Sequence, residues 1–217
     1  MTAPAGEGQR TARCLAAAVL MLALLSGAAT GAGRASLRST RGLLERLRAS
    51  GRAEAAVETI VEDPLGGPAK AVRGRLALEL PHRARLDFPR KESLTLREDG
   101  GDWLQPQTRQ LLRSGPESAV AAMHWSAVLL DSGAEGIRER PMPGGGFELV
   151  RAGPDSARAE RQRVWLGAQG LPSRLEIVNA AGERRTYRLS GWRFAPARGR
   201  SAFVLRAPPG FEVVDLP

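Results

Sequence analysis

Strict alternation of apolar and polar residues between Arg73 and Leu80 is the feature that most limits what this chain can fold into. Leu76, Leu78 and Leu80 fall on one side, and Arg75, Ala77 and Glu79 on the other. A period of two belongs to a strand with one buried and one solvated face, whereas a helix would scatter those leucines around its circumference. The pattern recurs. Ala84 to Phe88 keeps Leu86 and Phe88 in step, Leu94 and Leu96 alternate with Thr95 and Arg97, and Asp99-Gly100-Gly101-Asp102 turns the chain into Trp103 and Leu104. These segments read as a β-meander. Further strands are expected at Phe147 to Arg151, Arg161 to Leu166, Ser173 to Val178, Arg184 to Leu189 and Ala202 to Leu205, with Asn179-Ala180-Ala181-Gly182 as a hairpin turn.

Two stretches depart from this rhythm. Leu37 to Ala56 carries Leu43, Leu44 and Leu47 at helical spacing among Arg41, Glu45, Arg46 and Arg48, with a break offered by Ser50-Gly51, and predicts one amphipathic helix. Val57 to Val61 follows as a first strand, and Asp63 to Pro68 supplies a turn rich in proline and glycine. From Thr108 to Gly136 the leucines Leu111 and Leu112, then Pro116 and an alanine-rich run ending in Leu130, predict one or two short helices before Pro141 to Gly146 breaks the chain. The sum is an α+β fold: an incomplete, strongly curved antiparallel β-barrel with helices covering its concave apolar face, formed by a single domain over residues 34–217.

The first 33 residues read as targeting. Arg10 and Arg13 precede an apolar run from Cys14 to Leu25 and then small residues, the order of a cleavable secretory signal peptide. That run is well short of the about 20 residues a membrane-spanning helix needs. Cleavage between Ala29 and Ala35 removes Cys14, the only cysteine. Disulfides, thiolate metal sites and cysteine nucleophiles are thereby excluded from the mature chain, whose stability in an oxidising compartment must come from an ordinary core. The net charge of +9 is almost wholly arginine, with Lys70 and Lys91 the only lysines. The arginines are dispersed and interleaved with acids, which marks a solvated surface and no nucleic-acid partner.

Catalytic constellations are thin. His82 lies in a Pro-His-Arg turn and His124 beside Trp125, a pair with no metal-ligand spacing. No G-x-S-x-G elbow occurs, and Gly144-Gly145-Gly146 lacks the lysine of a phosphate loop. Neither an enzyme nor a cofactor or metal is expected.

The order of parts from Leu43 to Pro217 resembles the LolA family of periplasmic lipoprotein carriers. The similarity is carried by Val164-Trp165-Leu166, Gly170 to Leu175, Ala181-Gly182-Glu183 with Tyr187 to Ser190, and the closing phrase Phe203 to Asp215 with its Pro208-Pro209-Gly210 turn. Upstream, Gly74 to Leu80 before Pro81, and Leu94 to Trp103, add to it. The resemblance implies a periplasmic carrier that shields the acyl chains of lipoproteins and ferries them from the inner to the outer membrane. It also implies an inner-membrane ABC-type transporter and an outer-membrane receptor as partners of a monomer. A LolA-like carrier or sensor of another hydrophobic ligand, such as a free lipid, is the alternative. Two departures stand out: Leu80 occupies the place of a family arginine that bonds to the helical lid, and Val57 and Thr59 stand where the family has Phe-x-Gln.

On this reading the apolar groove is lined by Leu76, Leu78, Leu80, Leu86, Phe88, Leu94, Leu96, Phe147, Leu149, Leu175, Ile177, Tyr187, Leu189, Phe203 and Leu205, with Met123, Trp125 and Leu129 on the lid helix. Singly, each is also an ordinary core position on an alternating strand. The groove hypothesis concerns the group.

Overall fold

A computed structural model describes residues 37–62, 69–89, 92–116, 125–126, 128–130, 137–151, 160–179 and 181–216. The expected signal peptide, the turn at 63–68 and Met123 lie outside them. The described residues fall in one unit, Ser36–Pro217.

Helix α1, Arg41–Ser50, buries Leu43, Leu44 and Leu47, three positions that share one face at 3.6 residues per turn. It ends where Gly51 takes φ +100 and donates its N–H back to the Leu47 carbonyl at 2.7 Å, a conformation glycine adopts without steric cost. The next strand starts at once. β1 spans Arg52–Val61, so the residues up to Ala56 are strand and not helix; Ala53, Ala55, Val57 and Thr59 are buried in alternation.

Strands β2 Lys70–Glu79, β3 Arg83–Phe88, β4 Glu92–Arg97 and β5 Gly100–Gln105 form the expected meander. β6 is a correction: Leu111 and Leu112 belong to a strand, Gln110–Ser114, paired with β5 across a turn in which Arg109 has φ 55. Two adjacent leucines fit helix and strand alike, and it is the pairing partner next door that settles the choice. β7, Ile137–Pro141, begins just past the segment read as helical and runs to Pro141, where the sequence suggests only a break. β8 Phe147–Arg151, β9 Arg161–Leu166, β10 Pro172–Val178 and β11 Arg184–Ala195 complete the second half. The Asn179 turn is as expected: its Oδ1 accepts the Ala181 and Glu183 N–H groups, both at 3.0 Å.

With β12, Glu212–Asp215, the twelve strands among the described residues form one sheet in the order β12-β6-β5-β4-β3-β2-β1-β11-β10-β9-β8-β7. It is open, with β12 and β7 as its edges. Pairing is antiparallel throughout except that β12, Glu212–Asp215, runs parallel to β6. The central pairing, β1 with β2 and β11, joins strands from the two halves of the chain in one sheet.

One face is apolar and the other ionic. The outer face carries a ladder of pairs in which Glu176, 3% exposed, faces Arg163 at 3.2 Å and Arg174 at 2.6 Å, and Glu58 faces Arg73 and Arg188. The expected strand at Ala202–Leu205 is absent. Arg200–Phe203 is a 3-10 turn and the chain onward to Pro208 is irregular. This segment is a strap over the outer face. Arg198 and Gly199 N–H groups donate to the Glu79 carboxylate of β2 at 2.6 and 3.2 Å. Arg85 of β3 donates to the Ala202 carbonyl at 3.0 Å, and Arg97 of β4 to that of Phe203 at 2.8 Å. Asp102 of β5 accepts the Leu205 N–H at 2.9 Å. The strap thus crosses four strands in order before delivering β12 to β6.

Candidate functional site

The inner face is built by register. Gly74, Leu76 and Leu78 of β2 stand opposite Val57, Ala55 and Ala53 of β1. Leu86 lies between Leu76 and Leu94, and Ala84 between Leu78 and Leu96. On the other side Leu189 faces Val57 and Tyr187 faces Thr59; Leu175 then links Tyr187 to Val164 of β9, which faces Phe147 of β8. The period of two turns these into one continuous apolar surface.

Twelve of the groove residues expected from sequence are buried within a single cluster: Leu76, Leu78, Leu86, Phe88, Leu96, Trp125, Leu129, Leu149, Leu175, Ile177, Tyr187 and Leu189. Leu80 and Leu94 are partly buried against it. Phe147 is half-buried on the same face by register. Phe203 and Leu205 are a correction. Both are buried, but outside this cluster, in the strap on the opposite side of the sheet. Their alternating spacing mimics a strand, but Val204 between them is exposed because the strap covers the sheet instead of pairing into it.

Helical residues complete the cluster. Leu43, Leu44 and Leu47 of α1 and Trp125, Val128, Leu129 and Leu130 all belong to it. The Trp125 indole stacks on the Tyr187 ring, centroids 4.5 Å apart at 20°, a geometry worth roughly 0.5–1.5 kcal/mol beyond burial. The turn before α1 is held by the far edge of the sheet: Glu139 of β7 accepts the N–H groups of Arg38 at 2.5 Å and Ser39 at 2.8 Å. Gly74 is required where it stands, since a Cβ there would lie 2.6 Å from the Asp87 carbonyl and 2.8 Å from the Phe88 ring.

Two separate polar groups interrupt the apolar face. Thr59 is buried and its Oγ1 has no hydrogen-bond partner. The Oε1 of Gln162 is likewise buried without a partner, while its Nε2 donates to Glu160 at 2.9 Å. Tyr187 has its phenol pushed up by burial, against the opposing pull of Arg185, which hydrogen-bonds to it, and with a further push from Glu160. A buried oxygen left unpaired costs about 1–3 kcal/mol, so two in one face are a feature to explain. Sequence reasoning misses both, because a lone Thr or Gln on a strand carries no signal until its neighbours are known.

An open sheet with one apolar face backed by helical residues and one ionic face defines a hydrophobic-cluster fold. The sequence comparisons give that class a more particular likeness. The chain is similar to the outer-membrane lipoprotein carrier protein of Xanthomonas oryzae pv. oryzae (strain MAFF 311018), with 26% identity over 212 residues, covering 93% of this chain and 97% of that one. It is 26% identical over 159 residues to the protein of the same description from Bordetella avium (strain 197N), covering 70% and 76%. No family model matches the sequence. Among solved structures, a LolA superfamily protein from Nitrosomonas europaea aligns at TM-score 0.41 with 9% identity, covering 76% of this chain and 97% of that one. An uncharacterised conserved protein from Thermus thermophilus aligns at TM-score 0.45 with 16% identity, covering 82% and 99%.

Proposed function

We propose that this protein is a carrier of acylated lipoproteins in the periplasm, shielding their acyl chains from water as it ferries them from the inner to the outer membrane. The observation that carries the reading is the continuous apolar inner face, which collects leucines from strands of both halves of the chain under α1 and the Trp125 segment. Likeness along nearly the whole chain to proteins described as outer-membrane lipoprotein carriers supports it.

Physically, the task needs a shelter and no catalyst. Transfer of an acyl chain out of water is worth about 0.8 kcal/mol per CH₂, so a lipidated protein does not cross an aqueous space alone. A carrier must also let go, which calls for a cover that parts from the apolar face. α1 and the Trp125 segment are the cover in this reading, parting where Glu139 holds the turn before α1 and where Trp125 lies on Tyr187. Export by the signal peptide, loading by an inner-membrane ABC-type transporter and unloading at an outer-membrane receptor complete the proposal. The protein acts as a monomer without cofactor. One observation favours a second reading, a LolA-like carrier of free lipid: Leu80, where the family has its lid-bonding arginine, packs against the apolar cluster, leaving that contact without a polar bond.

The test is mass spectrometry of organic extracts and co-purifying polypeptides from the protein isolated from its native periplasm. Triacylated lipoproteins support the carrier; free lipids alone move the assignment to the second reading. A protein that comes out empty and takes up no fluorescent fatty acid refutes both.

A further inference from the structure

Arginines that are dispersed along the sequence are gathered by the sheet. On the outer positions of β7 to β11 the register sets them in three rows. In the first, Arg140 stands opposite Glu148, Glu148 opposite Arg163 and Arg163 opposite Glu176. In the second, Arg161 and Arg184 both stand opposite Val178, and Arg138 opposite Val150 continues the row. In the third, Trp165 faces Arg174 and Arg174 faces Arg188. These rows set seven arginines against two glutamates. Both glutamates already have partners: Glu148 has Arg163 at 3.4 Å, and Glu176 has Arg163 at 3.2 Å and Arg174 at 2.6 Å. Arg138, Arg140 and Arg161 are exposed and have no carboxylate partner among the described residues. The Arg188 side chain is 63% exposed although it shares Glu58 with Arg73. The other half of the same face differs, for there Arg85 and Arg97 are bound to Asp87, Asp102 and the carbonyls of the strap.

We propose that this arginine-rich half of the outer face docks on a bilayer surface that carries anionic phospholipid headgroups. Successive outer positions along one strand lie about 7 Å apart, and every second strand lies about 10 Å away. The guanidinium groups therefore form an open grid of like charges. Each can meet a phosphodiester with two parallel hydrogen bonds. Anionic lipids diffuse in the bilayer and fill such a grid one by one. A folded acidic protein must match every position at once and draws its affinity from a buried aromatic or aliphatic anchor. The aromatic residue of the rows, Trp165, offers no such anchor, because the Arg174 guanidinium lies over its ring at 4.4 Å from the centroid. The docking surface does not depend on what the apolar inner face carries.

Co-sedimentation of the native protein with vesicles tests this, using phosphatidylcholine alone and phosphatidylcholine mixed with phosphatidylglycerol. An arginine close to an anionic surface contributes about fivefold to partition, and less as salt screens it. Binding to the anionic vesicles is expected to be at least about tenfold tighter than to the neutral ones at low salt, and to fall towards the neutral level at high salt. Arg138→Glu with Arg140→Glu, at two exposed positions of β7, is expected to weaken anionic binding by more than about tenfold. Arg113→Glu with Arg206→Glu, at exposed positions of β6 and the strap, changes the net charge equally but away from the rows, and is expected to stay within about threefold of native. If the β7 variant unfolds at a lower temperature than the native protein, Arg138→Gln with Arg140→Gln takes its place, with a loss of about tenfold expected. Equal binding to both kinds of vesicle overturns the proposal. So does an equal loss in the β7 variant and the β6 and strap variant, which reports net charge alone. Binding to neither kind of vesicle also overturns it, and leaves an acidic protein as the partner of the rows. Uptake of a fluorescent fatty acid, measured in parallel, bears on the carrier reading alone, so that its failure leaves the docking result standing.

Discussion

Replacing Asp102 with alanine should release the C-terminal strap, and the structure sets the size of the effect. The Asp102 side chain is 3% exposed and receives Arg97 at 2.7 Å and 3.3 Å as well as the Leu205 N–H at 2.9 Å. Alanine deletes three hydrogen bonds to the carboxylate, two of them from the Arg97 guanidinium, and strands a buried N–H. It also leaves the Arg97 guanidinium, itself 10% exposed, with the Phe203 carbonyl, Thr95 and Asp99 as partners. Removing one member of a buried pair costs about 3–5 kcal/mol. Because Asp99 remains near Arg97, the lower half of that range is expected, about 3 kcal/mol, or a fall in Tm on the order of 10 °C for a domain of this size. Asp102→Asn retains an oxygen for Leu205 and should lose less. Replacing both partners with apolar residues, Arg97→Met with Asp102→Leu, should also cost less than Asp102→Ala alone, since no charge is left buried and unpaired. Urea unfolding at neutral pH, followed by tryptophan fluorescence, measures all three. A loss under about 1 kcal/mol for Asp102→Ala would refute the view that this pair anchors the strap.

Tyr187 is the only tyrosine, so phenolate absorbance in the near ultraviolet reports it alone; ionisation should be displaced upward from the ordinary 10.0, as burial dictates, and Trp125→Ala should bring it back towards that value. Since the folded phenol is harder to ionise than the unfolded one, this contribution to stability is complete below about pH 10 and fades as the pH rises through the folded value. At the acid end, Glu58 is held below its usual 4.5 chiefly by the Arg73 hydrogen bond, and Glu98 below 4.5 chiefly by a backbone hydrogen bond. Their contribution is present above about pH 4.5 and lost as the pH falls through the depressed values, so acid unfolding should begin at a higher pH in Arg73→Ala, as circular dichroism would show. Gly74→Ala forces a Cβ into the Asp87 carbonyl and Phe88 ring and should cost about 1–3 kcal/mol, readable as a lower urea midpoint; an unchanged midpoint would mean that β2 and β3 part without penalty.

Much of the fold is legible along the chain. The meander over β2 to β5 and the strands β8 to β11 follow from alternation alone, because a strand with one buried face must repeat every two residues whatever lies beside it. The helix over Leu43, Leu44 and Leu47 follows in the same way from its own period. Even membership of the inner cluster is mostly local: once Leu76 faces inward, Leu78 has no other choice. Where alternation is short or ambiguous, the chain does not decide. Leu111-Leu112 becomes β6 only because β5 offers it a partner on one side and β12 on the other.

The tertiary structure decided what no local pattern contains. Phe203 and Leu205 alternate like their counterparts in the sheet, but the carboxylate of Asp102 and the guanidinium groups of Arg85 and Arg97, drawn from strands more than a hundred residues earlier, hold their backbone across the outer face. Thr59 and Gln162 are single polar residues on strands, ordinary until the register sets them among Tyr187, Ile177 and Leu149 with an oxygen each left unbonded. The amino-acid sequence by itself determined which residues turn inward, because side-chain direction is a property of the local backbone. Only the folded chain determined which sides of the sheet are covered, by what, and which buried polar atoms go unpaired, because those depend on contacts between segments far apart in sequence.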